Sequence, residues 1–156
     1  MSVLVDTNVL LRRTQPTHQF YTVAVESVAQ ILSSGGPVYC TLQNISEFWN
    51  VVTRPVASNG LGFTSALALA EVVKIERILT LLPDAPAIYN ELKRLVVQHG
   101  VIGSKGHDAS LVAAMNVNGV QRILTFNTAD FTRYPIEVLH PSTVLSEPSA
   151  GPASGQ

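Results

Sequence analysis

Met1-Ser2-Val3-Leu4-Val5-Asp6-Thr7-Asn8-Val9-Leu10 is the stretch on which the rest of the chain is organised. Its apolar run is too short for a signal sequence. It ends abruptly in a carboxylate, a hydroxyl and an amide, and then turns apolar again. That pattern predicts a buried strand delivering Asp6 to its carboxyl end. Open parallel sheets bind ligands in the crevice beyond their strand ends, so an acid placed there is positioned for chemistry. The alternative is local, with Asp6 or Asn8 satisfying backbone N–H groups in an Asx-turn or as a helix N-cap.

The composition limits what such an acid can serve. At 156 residues the chain is long enough to bury a core as one domain, expected over residues 1–145. The Pro-, Ser-, Gly- and Ala-rich residues 146–156 read as a disordered tail. Apolar residues make up 46% and charged ones 13%, a greasy balance that points to a buried oligomer face. Ten basic residues stand against eleven acidic ones, a net charge of −1. No global positive field recruits nucleic acid, so any such contact must be local. The single Cys40 excludes an internal disulfide and fits a reducing compartment as a small buried residue. With no signal peptide and no long uncharged apolar run, a cytoplasmic protein without membrane contact is expected.

Beyond the opening strand, Thr17 reads as the N-cap of a helix running to about Ser34, ended by Gly35-Gly36-Pro37. Val38–Thr41 reads as a second strand. In the helix predicted from Leu42 to Thr53, Ile45, Phe48, Trp49 and Val52 follow i, i+3, i+4, i+7 spacing and form the core face. Base stacking by Phe48 or Trp49 is therefore not expected. Glu47 lies roughly 150° round from that stripe, on the side of Asn44, Val51 and Arg54, and faces a cleft or solvent. Ser58–Gly62 reads as a mobile loop. Thr64 caps a helix to about Leu79, Leu81–Pro83 is a third strand, and Asp84 caps a helix that His99-Gly100 closes. After the glycine-rich Val101–Gly106, His107-Asp108 opens a helix to about Asn118, with Asp108, Leu111, Val112 and Met115 on one face. Arg122–Phe126 is the fourth strand, followed by Asn127–Phe131, and Ile136–Leu139 is a short edge strand. Strands alternating with helices give an α/β fold with a mostly parallel sheet and right-handed crossovers.

Four acids stand at element ends that such a sheet brings to one edge: Asp6, Glu47, Asp108 and Asp130. Each alone has a bland explanation, Asp108 as an acid at a helix N-terminus, for instance. Together those explanations are less economical. Two carboxylates ~4 Å apart repel by about 4 kcal/mol at an effective dielectric of about 20, so a cation must compensate. An oxygen-only ligand set, without a His/Cys pattern, selects Mg²⁺ or Mn²⁺ over zinc. Such an ion lowers the pKa of a bound water and polarises a phosphoryl oxygen, which suits phosphodiester hydrolysis.

Val5-Asp6-Thr7-Asn8-Val9-Leu10, Ile45-Ser46-Glu47-Phe48, His107-Asp108-Ala109 and Leu124–Phe131, in that order, resemble the PIN-domain family and, within it, VapC-type toxins of bacterial toxin–antitoxin pairs. The resemblance covers about residues 1–140. It implies a three-layer fold with four to five strands and a Mg²⁺/Mn²⁺-dependent endoribonuclease whose metal-binding acids are Asp6, Glu47 and Asp108. Many members carry an Asp where this chain has Asn127. The fourth role passes to Asp130, with Asn127 as a water-mediated ligand. It further implies a homodimer and a cognate antitoxin presenting a basic side chain to the acids; the apolar Phe63–Leu82 region is a candidate surface for either contact.

Supporting roles follow from reach. Thr7, Asn8 and Thr125 are placed to orient carboxylates or a bound water. Arg12, Arg13, Arg54, Lys105 and Arg133 fall near the predicted element ends, where they would hold RNA phosphates. His107 reads as structural. The expected function is hydrolysis of structured cellular RNA at an exposed loop. One alternative is a non-catalytic PIN-like module that binds RNA or protein, kept open by Asn127. The other is a haloacid-dehalogenase-like phosphatase, which needs an Asp where Asn8 stands.

Overall fold

In the computed structural model, residues 2–147 are described. Five short strands form one all-parallel sheet: β1 (Val3–Val5), β2 (Val38–Cys40), β3 (Thr80–Leu81), β4 (Arg122–Leu124) and β5 (Glu137–Leu139), in the spatial order β3-β2-β1-β4-β5. The opening stretch is the central strand. Val3, Leu4 and Val5 are all buried, the near-continuous apolar run required of a strand covered on both faces.

Strand alternation separates two cores. Val3, Val5, Val38, Cys40 and Leu124 face one helix layer, while Leu4, Tyr39 and Ile123 face the other. The first layer contains α1 (Thr7–Arg12), α2 (Tyr21–Ser33), α3 (Leu42–Thr53), α4 (Ser65–Ile78) and α7 (Pro141–Ser146). The second contains α5 (Pro86–Gln98) and α6 (Lys105–Val117). The expected α/β three-layer architecture is the one observed. Among the described residues no helix is long and apolar enough to cross a membrane.

The departures from expectation are local. α1 starts directly at Thr7, with Val9 and Leu10 buried against the first core; six residues are too few for a periodicity to register. α2 begins at Tyr21 rather than after Thr17, because successive turns occupy the intervening residues and the His18 ring takes the Phe20 amide. Ser58–Gly62 is not a loose loop. The amides of Leu61, Gly62 and Phe63 donate to the carbonyls of Val51, Arg54 and Val52, which ties it to the end of α3. Gly60 is essential to that seat, since a Cβ there would lie 1.8 Å from the Arg54 carbonyl oxygen. β3 falls at Thr80–Leu81, slightly earlier than expected, Ala85 rather than Asp84 is the N-cap of α5, and α6 starts at Lys105, two residues before His107. α7 was not anticipated, and its last residue, Ser146, is the first of the expected tail. Residues 148–156 of that tail lie outside the described residues.

Candidate active site at the carboxyl edge of the sheet

β1, β2 and β4 run directly into Asp6, Thr41 and Thr125, so their carboxyl ends supply one wall of a site from three strands. Asp6 fulfils both readings of the opening stretch. It is the N-cap of α1, its Oδ1 accepting the Thr7 amide at 2.7 Å. Its Oδ2 accepts the Thr125 hydroxyl at 2.8 Å and the Asn8 side-chain amide at 3.2 Å. Asn8 also donates to Thr125 Oγ1, and Thr125 Oγ1 accepts the Asn127 amide. Thr125, fully buried, is the hub that ties the end of β4 to Asp6.

Glu47 comes to the same place from α3. Its Oε2 accepts the Thr7 hydroxyl at 2.9 Å and its Oε1 accepts Gln43 Nε2 at 2.8 Å. Asn44 is completely buried and donates to Thr7 Oγ1 at 3.0 Å, while its Oδ1 accepts the Thr41 amide and hydroxyl in a capping box. The α3 face carrying Glu47 and Asn44 is thus the wall of a polar cleft rather than open surface. Gln43 also donates to the His107 carbonyl at 3.0 Å, linking α3 to the first turn of α6.

Asp108 stands in that first turn. Burial foremost pushes its carboxyl pKa up, with Asp130 and Glu47 adding to the effect and Lys105 and His107 opposing it. At Asp6, only 8% exposed, burial pushes the pKa up to about 6 against the hydrogen bonds from Thr125 and Thr7, and the charges of Asp108 and Glu47 raise it further. Asp6 thus feels the charges of Asp108 and Glu47, and Asp108 those of Asp130 and Glu47. Asp130, in a 3-10 turn after β4, is held by Lys105 Nζ at 2.5 Å.

Among the described residues, no group of three or more His, Cys, Asp or Glu side chains is set to hold a metal ion as the side chains stand. Glu47 is turned to Thr7 and Gln43, and Asp130 to Lys105. The donor chemistry nevertheless fits a hard divalent cation. All donors are oxygen, and the most buried of them is a carboxylate beside two others, an arrangement that a cation relieves.

The five basic residues expected at phosphates separate. Lys105 reaches the cluster, with Arg133 near it. Arg12 lies at the far end of α1 and donates to Gln15. Arg13 feels the charges of Tyr21 and Glu71 rather than those of the four acids, and burial foremost lowers its pKa. Arg54 donates to the Asn59 carbonyl and closes the loop after α3. Gln43 and Asn44 are the site residues that sequence reading passed over. The one local signal was the Thr41-x-x-Asn44 capping box, which places polar side chains one turn before Glu47. A 450 Å³ hollow elsewhere is lined by Glu91, Arg94, Asn116 and Gln121 and contains none of the acids.

Comparison with known proteins agrees with the fold. A model of the PIN domain family matches residues 3–137. The phosphatase alternative is thereby overturned. No curated protein matches the sequence. Among solved structures, VapBC2 from Rickettsia felis, determined with a promoter DNA fragment, is similar with a TM-score of 0.65 at 15% identity, over 90% of this chain and 98% of that one. VapBC-1 from nontypeable Haemophilus influenzae gives 0.66 at 12%, over 91% and 99%. VapC20 from Mycobacterium tuberculosis, described as a sarcin-ricin loop cleaving toxin, gives 0.60 at 14%, over 86% and 98%.

Proposed function

The chain belongs to the PIN domain family, and from that premise we propose that it is a metal-dependent endoribonuclease, the toxin of a toxin–antitoxin pair. The observation that carries the reading is Asp6: a buried carboxylate at the end of the central strand, with Glu47 and Asp108 close enough to raise its pKa. Asp6, Glu47 and Asp108 would hold Mg²⁺ or Mn²⁺, and Asp130 would complete the site on release from Lys105. When bound, such an ion supplies Lewis acidity and activates water at neutral pH.

The protein's own groups prepare the site. Thr125 and Asn8 fix the Asp6 carboxylate, and Thr7 and Gln43 orient Glu47. Asn127, whose backbone amide donates to Thr125 Oγ1, would act as a ligand through a water. Lys105, paired with Asp130, and Arg133, whose charge Lys105 feels, would hold phosphates of the bound strand. The near-zero net charge favours a shape-selected target over indiscriminate binding, and likeness to a toxin that cleaves the sarcin-ricin loop supports a structured RNA with an exposed loop. A cognate antitoxin offering a basic side chain to the acids, a homodimeric assembly and a cytoplasmic location complete the proposal.

Incubating the purified protein with total cellular RNA in Mg²⁺, Mn²⁺ or chelator tests the reading. Discrete RNA fragments that appear only with metal are expected. Absence of cleavage with either ion, together with no metal binding by calorimetry, refutes it and leaves the non-catalytic RNA- or protein-binding module.

A further inference from the structure

Four aromatic rings lie along the same sheet edge as the acids. Phe126 directly follows Thr125, and its amide donates to Asn8 Oδ1 at 3.2 Å, so the row begins one residue from the hub that holds Asp6. Phe126 packs against the first core. Phe20 stacks on it with centroids 5.3 Å apart and planes inclined by 26°. His18 lies 5.5 Å beyond Phe20, and His140 meets Phe126 edge-on at 5.4 Å. His18 Nδ1 accepts the Phe20 amide, which fixes the turn that presents both rings.

Phe126 has a packing reason to be where it is. Phe20 has a weaker one, remaining 43% exposed just before α2 and making no side-chain cap. Most other exposed apolar side chains, such as Leu67, Val97 and Ile102, are aliphatic, and the exposed Tyr89 ring is covered by Lys93 of its own helix; Phe20 instead continues an aromatic stack that starts one residue from Thr125. Arg12 lies near enough to His18 for its charge to be felt there. Lys105 belongs to the opposite helix layer. Arg12 and Lys105 therefore stand on opposite sides of the sheet.

We propose that Phe20, backed by Phe126 and flanked by His18 and Arg12, is a stacking platform for a nucleobase beside the scissile phosphate of a single-stranded RNA segment. The proposal rests on the nuclease reading. Single-stranded RNA is recognised through unstacked bases laid on aromatic faces, with cations following the backbone, and such stacking tolerates different bases. The platform sets which nucleotide is splayed out at the acids, and so where the strand is cut.

The test uses short single-stranded RNAs carrying 2-aminopurine at successive positions, bound with Mg²⁺ present to the full chain in an Asp108→Asn background. Quenching is expected at one position. Phe20→Leu, which keeps an apolar side chain, should abolish that quenching and weaken binding about tenfold or more, while Phe20→Trp preserves both. Unchanged quenching and affinity in Phe20→Leu overturn the platform. A changed oligomeric state with RNA affinity intact also overturns it, assigning the row to a contact between copies. Cleavage of total RNA by the wild-type protein, measured in parallel, shows whether a failure belongs to the platform or to the nuclease reading.

Discussion

Asp6 presents one carboxylate oxygen to the helix it caps and the other to Thr125 and Asn8, so the metal-free protein stabilises its geometry while its charge remains costly. Its pKa is raised from 3.8 to about 6, which means the native state binds the extra proton between those values. The stability this contributes is fully present below the unfolded value and is lost as pH rises through about 6, a penalty on the order of 3 kcal/mol at pH 8. Asp6→Asn removes the charge but leaves one of the three hydrogen bonds mismatched. In chelator, the variant should therefore gain on the wild type by up to about 3 kcal/mol between pH 4 and pH 8, read from urea unfolding at both pH values. An equal difference at the two pH values would show that the Asp6 charge is not buried. At this scale the sequence was legible where chemistry coincided with a strand end, as at Asp6 and Thr125. It was not legible at Asn44, whose partner Thr7 is 37 residues away, nor at Gln43, whose link to His107 spans 64. A contact between residues so distant leaves no local pattern.

α3 shows how one element carries two functions. Phe48 and Val52 are buried and Ile45 and Trp49 partly so, fixing the helix against the first core, and the opposite polar side brings Glu47 to Thr7. Its ends are pinned separately, by the Thr41 capping box at one and by the loop closed over Arg54 at the other. Gly60→Ala would force a methyl into the Arg54 carbonyl, so a loss of about 1–3 kcal/mol is expected, measured by thermal or urea unfolding. A neutral result would mean that the loop yields without disturbing α3. The α3 stripe was readable because twelve residues suffice to display a helical period. α1 and α7, with six residues each, offered too little sequence for one. The turns before α2 depend on the His18 ring rather than on the Thr17 hydroxyl that the sequence favoured.

The whole molecule places its catalytic candidates by topology. A five-stranded parallel sheet in the order β3-β2-β1-β4-β5 puts the acid-bearing strand at its centre, and α6 of the second layer brings Asp108 and Lys105 across from α1 and α3 of the first. With a net charge of −1, RNA affinity must come from a few local cations. If Lys105, Arg133 and Arg12 supply them, the logarithm of affinity should fall with the logarithm of salt at a slope of about −2; a slope near −5 would demand a broader basic surface than this chain offers. The central claim is that the acid at the end of the first strand holds the catalytic ion. The direct test is the single-turnover rate at the mapped RNA cleavage site, at saturating Mn²⁺, for wild type and Asp6→Asn. A fall of about 100-fold or more is predicted. Cleavage at the same site and at the wild-type rate by Asp6→Asn would contradict the account.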